Sequence, residues 1–235
     1  MAIDKKIYIL HGWAYSLEKW KPIIELLNKN GVEVVMLRVP GLTVPHDKVW
    51  QLDDYVEWVK GKLEEEELPI VLLGHSNGGR ISIAFAAKYP KKIKKLILID
   101  SAGIYHNEFR IRLKRFVFEK LAKIGKGFSD SETLRNMLYK FARVSDYQKA
   151  DSILRKTMLN LIRTDISNLF PKISAPTTII WGEKDDTTPL VDGKLMHEQI
   201  KGSKLFVICN AKHSPHFTNI EEVGEIILNE LEIRN

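Results

Sequence analysis

The chain has 235 residues, of which 44% are hydrophobic and 28% charged. That balance excludes a disordered tract and fits one domain with a full core, or one domain carrying an insertion. The net charge of +6 comes from lysines dispersed along the whole length; with no basic tail and no nucleic-acid motif, it marks a solvated surface, and no nucleic-acid partner is expected.

In chain order, Lys5 to Leu10 reads as a strand running directly into His11-Gly12-Trp13-Ala14. Its apolar part, Ile7 to Leu10, is too short for a signal h-region or a membrane span, so a cytoplasmic protein is expected. A helix follows from about Leu17 to Lys29, with Trp20, Ile23, Ile24 and Leu27 on one face and Asn30-Gly31 as its stop. Val32 to Leu37 is the next strand. A loop with Pro40, Gly41 and Pro45 leads to a helix near Gln51 to Glu66, whose final run, Glu64 to Glu67, reads as a solvated face. Ile70 to Leu73 is a buried strand that stops at Gly74, turns sharply at Ser76 and leaves through Gly78-Gly79. The helix after it carries Ile81, Ile83, Ala84 and Ala87 at helical spacing and ends at Tyr89-Pro90. Lys95 to Asp100 is another apolar strand.

From 104 to 170 only helical periodicity is visible. Phe109, Leu113, Phe116, Val117 and Leu121 mark one helix, Leu134, Met137, Leu138 and Phe141 a second, and Ile153, Leu154, Met158, Leu161 and Ile162 a third. Because it follows the carboxyl end of a strand, this segment is expected to be a helical cap over the site, inserted into a core formed by 1–103 and 171–235. Alternation then resumes with strand Pro176 to Gly182, helix Leu190 to Ile200, strand Lys204 to Cys209 and helix Ile220 to Ile233. Cys209, the single cysteine, cannot form an intramolecular disulfide and is expected as a buried strand residue. Strand–helix alternation predicts an α/β fold: a mostly parallel, doubly wound sheet with right-handed crossovers and ligand sites at the carboxyl ends of the strands.

Gly74-His75-Ser76-Asn77-Gly78 sits at such an end. A serine on a strand-to-helix turn this tight takes a strained backbone, and glycines relieve the crowding around it. The helix N-terminus beside it favours developing negative charge. A serine nucleophile needs a base, a carboxylate to orient the base, and donors for an oxyanion. The chain offers candidates for the first two after strands, in the order serine, acid, histidine: Asp185 or Asp186 within Trp181-Gly182-Glu183-Lys184-Asp185-Asp186, and His213 or His216 within His213-Ser214-Pro215-His216. The His213-x-x-His216 pair has no carboxylate or cysteine at ligand spacing, so no metal is expected.

These four pieces, His11-Gly12-Trp13, the glycine–serine turn, the Trp181-Gly182 acid loop and the His213 loop, resemble the α/β-hydrolase superfamily of serine hydrolases over essentially the whole chain, carboxylesterases in particular. The resemblance implies Asp185 as the acid, three residues beyond Gly182, and His213 as the base, just after the last strand and two before Pro215. It implies the backbone N–H groups of Trp13 and Asn77 as the oxyanion hole, and His11 as a brace for the oxyanion loop. It implies no cofactor. An apolar acyl pocket is expected from Trp13, His75, Phe109, Phe116, Leu190 and Phe217, taking small or medium acyl groups of an ester substrate. Two departures stand out: the usual first antiparallel hairpin looks absent, and Leu37-Arg38-Val39-Pro40-Gly41 lacks the acidic residue common before Pro-Gly. His11-Gly12-Trp13 also resembles pimeloyl-carrier-protein methyl ester esterases. A basic face of Arg110, Arg112, Lys114, Arg115 and Lys120 would suit an acidic carrier protein as partner. Carbon–carbon bond hydrolases of vinylogous diketones use the same residues, and a ligand sensor on the same fold is the reading from a different class.

Overall fold

A computed structural model describes residues 6–14, 16–41, 44, 48–66, 69–106 and 152–233. The strands are β1 (Lys6–Leu10), β2 (Glu33–Leu37), β3 (Ile70–His75), β4 (Ile93–Ile99), β5 (Thr177–Gly182) and β6 (Lys204–Ile208). They form one six-stranded sheet in the order β2-β1-β3-β4-β5-β6, with every pairing parallel. The helices are α1 (Lys21–Lys29), α2 (Leu52–Lys62), α3 (Asn77–Lys88), α4 (Ser152–Arg163), α5 (Leu190–Gln199), α6 (Pro215–Thr218) and α7 (Ile220–Glu230).

Because the sheet is covered on both sides, the central strands carry unbroken apolar runs, Ile70 to Leu73 and Leu96 to Ile99, and alternate residues feed two cores. Tyr8, Leu72, Leu96, Leu98 and Ile179 face a core shared with α2 and α3; Ile7, Val71, Leu73, Ile97 and Ile180 face one shared with α1 and α7. At the amino ends of the strands Glu230 of α7 ties three of them together. It accepts from Thr178 of β5 at 3.1 Å and Lys204 of β6 at 2.8 Å, and pairs with Lys95 of β4 at 3.8 Å. The carboxyl ends are left to the loops that carry the site.

Helix α1 is preceded by a 3-10 turn (Glu18–Trp20) and closed by Gly31 at φ +79°. Helix α2 starts on a capping box between Gln51 and Asp54 and stops at Lys62, four residues short of the expected end. Glu66, expected in a solvated run, reaches back to Lys6 at 2.9 Å. Strand β6 lies at the sheet edge and is only half covered, which corrects the expectation for Cys209: it falls one residue past the strand, exposed, before a turn in which Asn210 has φ +59°.

Of the expected cap, α4 is described. Leu161 joins the core beside α3, Leu154 and Met158 pack on Trp13, and Thr157 Oγ1 accepts the Trp50 N–H at 3.0 Å. The two earlier cap helices, with Phe109, Phe116 and the basic face at Arg110, Arg112, Lys114, Arg115 and Lys120, lie outside the described residues. Among the described residues no helix is long and apolar enough to cross a membrane.

Candidate active site

Ser76 stands between β3 and α3 with φ +54° and ψ −120°, a conformation costly for any residue with a side chain. The surroundings hold it there: its N–H donates to the Ile99 carbonyl at 3.1 Å, and its own carbonyl accepts from Arg80 at 3.2 Å and Ala102 at 2.9 Å. Close approach makes the turn possible. A Cβ on Gly78 would come within 1.9 Å of the Leu10 carbonyl oxygen, so only glycine lets α3 begin against the end of β1. Asn77 is the first helical residue, and its N–H is among those with no partner inside the helix.

The loop after β1 packs on this turn. His11 is buried, and its Nε2 accepts the Val39 N–H at 3.0 Å. The proton therefore sits on Nδ1, which donates to the Gly12 carbonyl at 2.7 Å. Burial lowers its pKa, which keeps the ring neutral. The trans peptide joining Gly12 to Trp13 must then point the Trp13 N–H the opposite way, away from His11.

The acid and histidine loops are built as a unit. Gly182 ends β5 so close to the histidine loop that a Cβ would lie 2.4 Å from the Lys212 carbonyl oxygen. The Lys184 N–H donates to the Ala211 carbonyl at 2.8 Å, and the Trp181 indole closes the acid loop by donating to the Thr188 carbonyl at 2.9 Å. Asp185 is buried at the centre. Its Oδ1 accepts the N–H groups of Thr187 at 2.7 Å and Thr188 at 3.1 Å; its Oδ2 accepts the Thr188 hydroxyl at 2.7 Å and His213 Nδ1 at 2.7 Å. Although burial opposes it, these donors, led by His213, hold the carboxyl below its ordinary pKa. His213 Nε2 is 2.9 Å from Ser76 Oγ. Ser76, His213 and Asp185 thus form one continuous hydrogen-bonded line, with Ser76 and His213 only partly buried. Asp186 is exposed, and its Oδ1 lies 3.5 Å from the Thr187 hydroxyl.

Other candidates fall elsewhere. His216 is fully buried and stacks on Trp20 at 4.3 Å and Phe217 at 3.9 Å, and neither of its ring nitrogens has a hydrogen-bond partner. Two pocket expectations need correction. His75 is buried behind the site; its Nε2 bonds the His213 carbonyl at 3.1 Å, and its ring packs on His216 at 4.4 Å. Phe217 is half-buried and packs against the core on the α1 and α7 side. Both side chains are drawn into an aromatic cluster around Trp20, where their apolar area is better covered. Trp13 lies between the main core and α4, and Leu190 packs at the start of α5.

Two residues were missed. Thr188 binds Asp185, and its hydroxyl also lies 3.2 Å from both the Asp100 carbonyl oxygen and His213 Nδ1; the only signal was its place three residues after an aspartate in a turn. Asp100, completely buried with φ +42°, directly follows β4, and its Oδ1 accepts the Gly182 N–H at 2.8 Å. An aspartate closing an apolar run was the signal there.

Comparison with known proteins agrees with this architecture. The family model described as the alpha/beta hydrolase fold matches residues 5–162, well over half of the chain. The pimeloyl-[acyl-carrier protein] methyl ester esterase of Neisseria meningitidis serogroup C is 24% identical over 240 residues, covering 92% of this chain and 90% of its own. Monoacylglycerol lipase ABHD6 of Mus musculus is 25% identical over 254 residues, covering 94% of this chain and 74% of its own. Among solved structures, a bromoperoxidase from Bacillus anthracis superposes with a TM-score of 0.72 at 24% identity, over 97% of this chain and 92% of that one. With the parallel sheet, the strained serine turn and the family match in agreement, the chain belongs to the alpha/beta hydrolase fold family.

Proposed function

We propose that the chain is a serine hydrolase that cleaves carboxylic esters of small to medium acyl groups through an acyl-enzyme, with Ser76 as nucleophile, His213 as base and Asp185 as the acid that orients it. The observation that carries this reading is the unbroken line from Ser76 Oγ to His213 Nε2 at 2.9 Å and from His213 Nδ1 to Asp185 at 2.7 Å. In the first step Ser76 Oγ attacks the ester carbonyl carbon while His213 Nε2 takes the hydroxyl proton. Asp185, accepting from Nδ1–H, holds the imidazole in the required tautomer and stabilises its charged form. The carbonyl oxygen becomes an oxyanion received by the N–H groups of Trp13 and Asn77, each lowering the barrier by about 3 kcal/mol. As the intermediate collapses, His213 returns the proton to the departing alcohol. Water, deprotonated by His213, then cleaves the acyl–Ser76 ester and releases the acid.

The test is a panel of p-nitrophenyl esters of rising chain length, read together with fluorophosphonate labelling. Ser76→Ala is expected to keep the thermal midpoint, lose the label and lose turnover by at least about 10³-fold. Wild-type turnover in that variant would overturn the reading. A stoichiometric release without turnover in the unmodified protein would favour a ligand sensor instead. The likeness over 92% of the chain to a pimeloyl-[acyl-carrier protein] methyl ester esterase supports a narrower reading, in which the acyl group is borne on an acidic carrier protein. A carrier-borne methyl ester added to the panel distinguishes the two by kcat/KM.

A further inference from the structure

Asp100 is an ionisable side chain at the site that the mechanism above does not use. Its carboxyl is sealed from solvent between the carboxyl ends of β3, β4 and β5. One oxygen is accounted for by the Gly182 N–H at 2.8 Å. The other, Oδ2, is buried and no donor reaches it. The titratable groups that face this carboxyl are three. His75, from β3, and His213, from the loop after β6, each bring a polar atom that lies within 4.8 Å of Asp100 and of the other. Asp185, from the loop after β5, is brought beside Asp100 by Thr188, whose hydroxyl oxygen lies 2.7 Å from Asp185 Oδ2 and 3.2 Å from the Asp100 carbonyl oxygen, and the two carboxyls are hydrogen-bonding neighbours. Asp185 is an acceptor already committed to four donors. An ionised Asp100 would therefore set a second buried negative charge against the first, with a lone pair facing a lone pair. A protonated Asp100 removes both faults at once, because its O–H donates to Asp185.

We propose that Asp100 carries a proton at neutral pH and donates it as a hydrogen bond to Asp185, so that the two carboxyls present His213 with a single negative charge. Asp100 is thus a positioning residue, acting through Asp185, and the inference rests on the reading of His213 as the base. Burial, and then the neighbouring Asp185 charge, push the Asp100 carboxyl up to about 8, in line with the geometry. Its removal at higher pH would put two carboxylates in contact and draw Asp185 away from the imidazole.

The amide of Asp100→Asn reproduces the protonated acid: its oxygen accepts the Gly182 N–H and its nitrogen donates to Asp185. The variant is expected to keep kcat within about threefold of wild type near pH 7, and to lack the fall in kcat that wild type shows above about pH 8. A loss of more than about tenfold at neutral pH in the folded variant, or an alkaline limb unchanged by it, would overturn the proposal. Infrared difference spectra supply a readout that needs no turnover and no variant of the nucleophile. Wild type is expected to show a buried carboxylic C=O band near neutral pH that is lost above about pH 8 and is missing from Asp100→Asn. Absence of that band from wild type would overturn the proposal by itself. If the band is present but no ester is turned over, the proton stands and it is the hydrolase reading that fails. Thermal midpoints guard against misfolding: a raised native pKa means the folded state loses stability as pH rises from about 4 to about 8, so Asp100→Asn should already be the more stable protein near neutral pH and keep that advantage above it.

Discussion

Replacing Asp185 by asparagine keeps the size and shape of the side chain and changes one atom, and the surroundings dictate which one. Two backbone N–H groups, from Thr187 at 2.7 Å and Thr188 at 3.1 Å, point at Oδ1. The amide oxygen must take that place, since the reverse orientation would leave both donors unsatisfied at about 1–3 kcal/mol each. The amide nitrogen then occupies the Oδ2 position, 2.7 Å from His213 Nδ1. It donates a hydrogen there, so Nδ1 becomes the acceptor and the imidazole proton moves to Nε2. That proton points at Ser76 Oγ 2.9 Å away, so the base proposed for the serine can no longer accept its proton. The same substitution in the serine-protease triad costs about 10⁴-fold in kcat, or roughly 5.5 kcal/mol of barrier, and Asp185→Asn is expected to cost a similar amount here. The assay is kcat for p-nitrophenyl acetate at saturation, with a thermal midpoint to show that the fold is kept. A kcat within tenfold of wild type would refute the tautomer argument.

The remaining predictions concern stability. Burial, and then the neighbouring His75 and His213, hold the His216 pKa well below its ordinary value, and burial takes His75 to about 3. Below about pH 6.5 the unfolded chain takes up protons that these native rings refuse, so the stability present above that pH is lost as pH falls, at up to about 1.4 kcal/mol per unit for each ring. His216→Phe should therefore lower the slope of unfolding free energy against pH between about pH 6 and 4 by up to about 1.4 kcal/mol per unit, measured by urea titration; an unchanged slope would mean that His216 is protonated in the native state. Gly78→Ala forces a Cβ to within 1.9 Å of the Leu10 carbonyl oxygen and 2.7 Å of the His11 carbonyl oxygen, both backbone atoms with no rotamer to escape by. The expected loss is about 3 kcal/mol or more of unfolding free energy, read as a lowered chemical-denaturation midpoint, and an unperturbed midpoint would contradict the close approach of α3 to β1.

The strands and helices were legible because each signal is local. Leu96 to Ile99 is apolar throughout, as a strand covered on both faces must be, and α4 shows Leu154, Met158 and Leu161 at helical spacing. The serine turn, the Trp181-Gly182 loop and the His213 loop could be placed at strand ends for the same reason. What could not be read depends on which remote segment arrives nearby. Cys209 looks like strand interior until β6 proves to be an edge. His75 and Phe217 look like pocket residues until Trp20 and His216 are seen to collect them. Asp100 looks like the last residue of a strand, and only the loop holding Asp185, far along the chain, gives its carboxyl a meaning.

The hydrogen bond between Ser76 and His213 spans 137 positions of sequence. Its two ends are carried by β3 and by the loop after the edge strand β6, with β4 and β5 lying between them in the sheet. No amino-terminal fragment that stops short of residue 213 can contain it, so on the proposed reading of Ser76 as nucleophile a growing or refolding chain carries an ordinary, unreactive alcohol at position 76 until β6 and the loop after it have docked. Capture of that alcohol by a covalent phosphonate would therefore time the closing event of assembly, separately from the earlier gain of helix and sheet seen by circular dichroism.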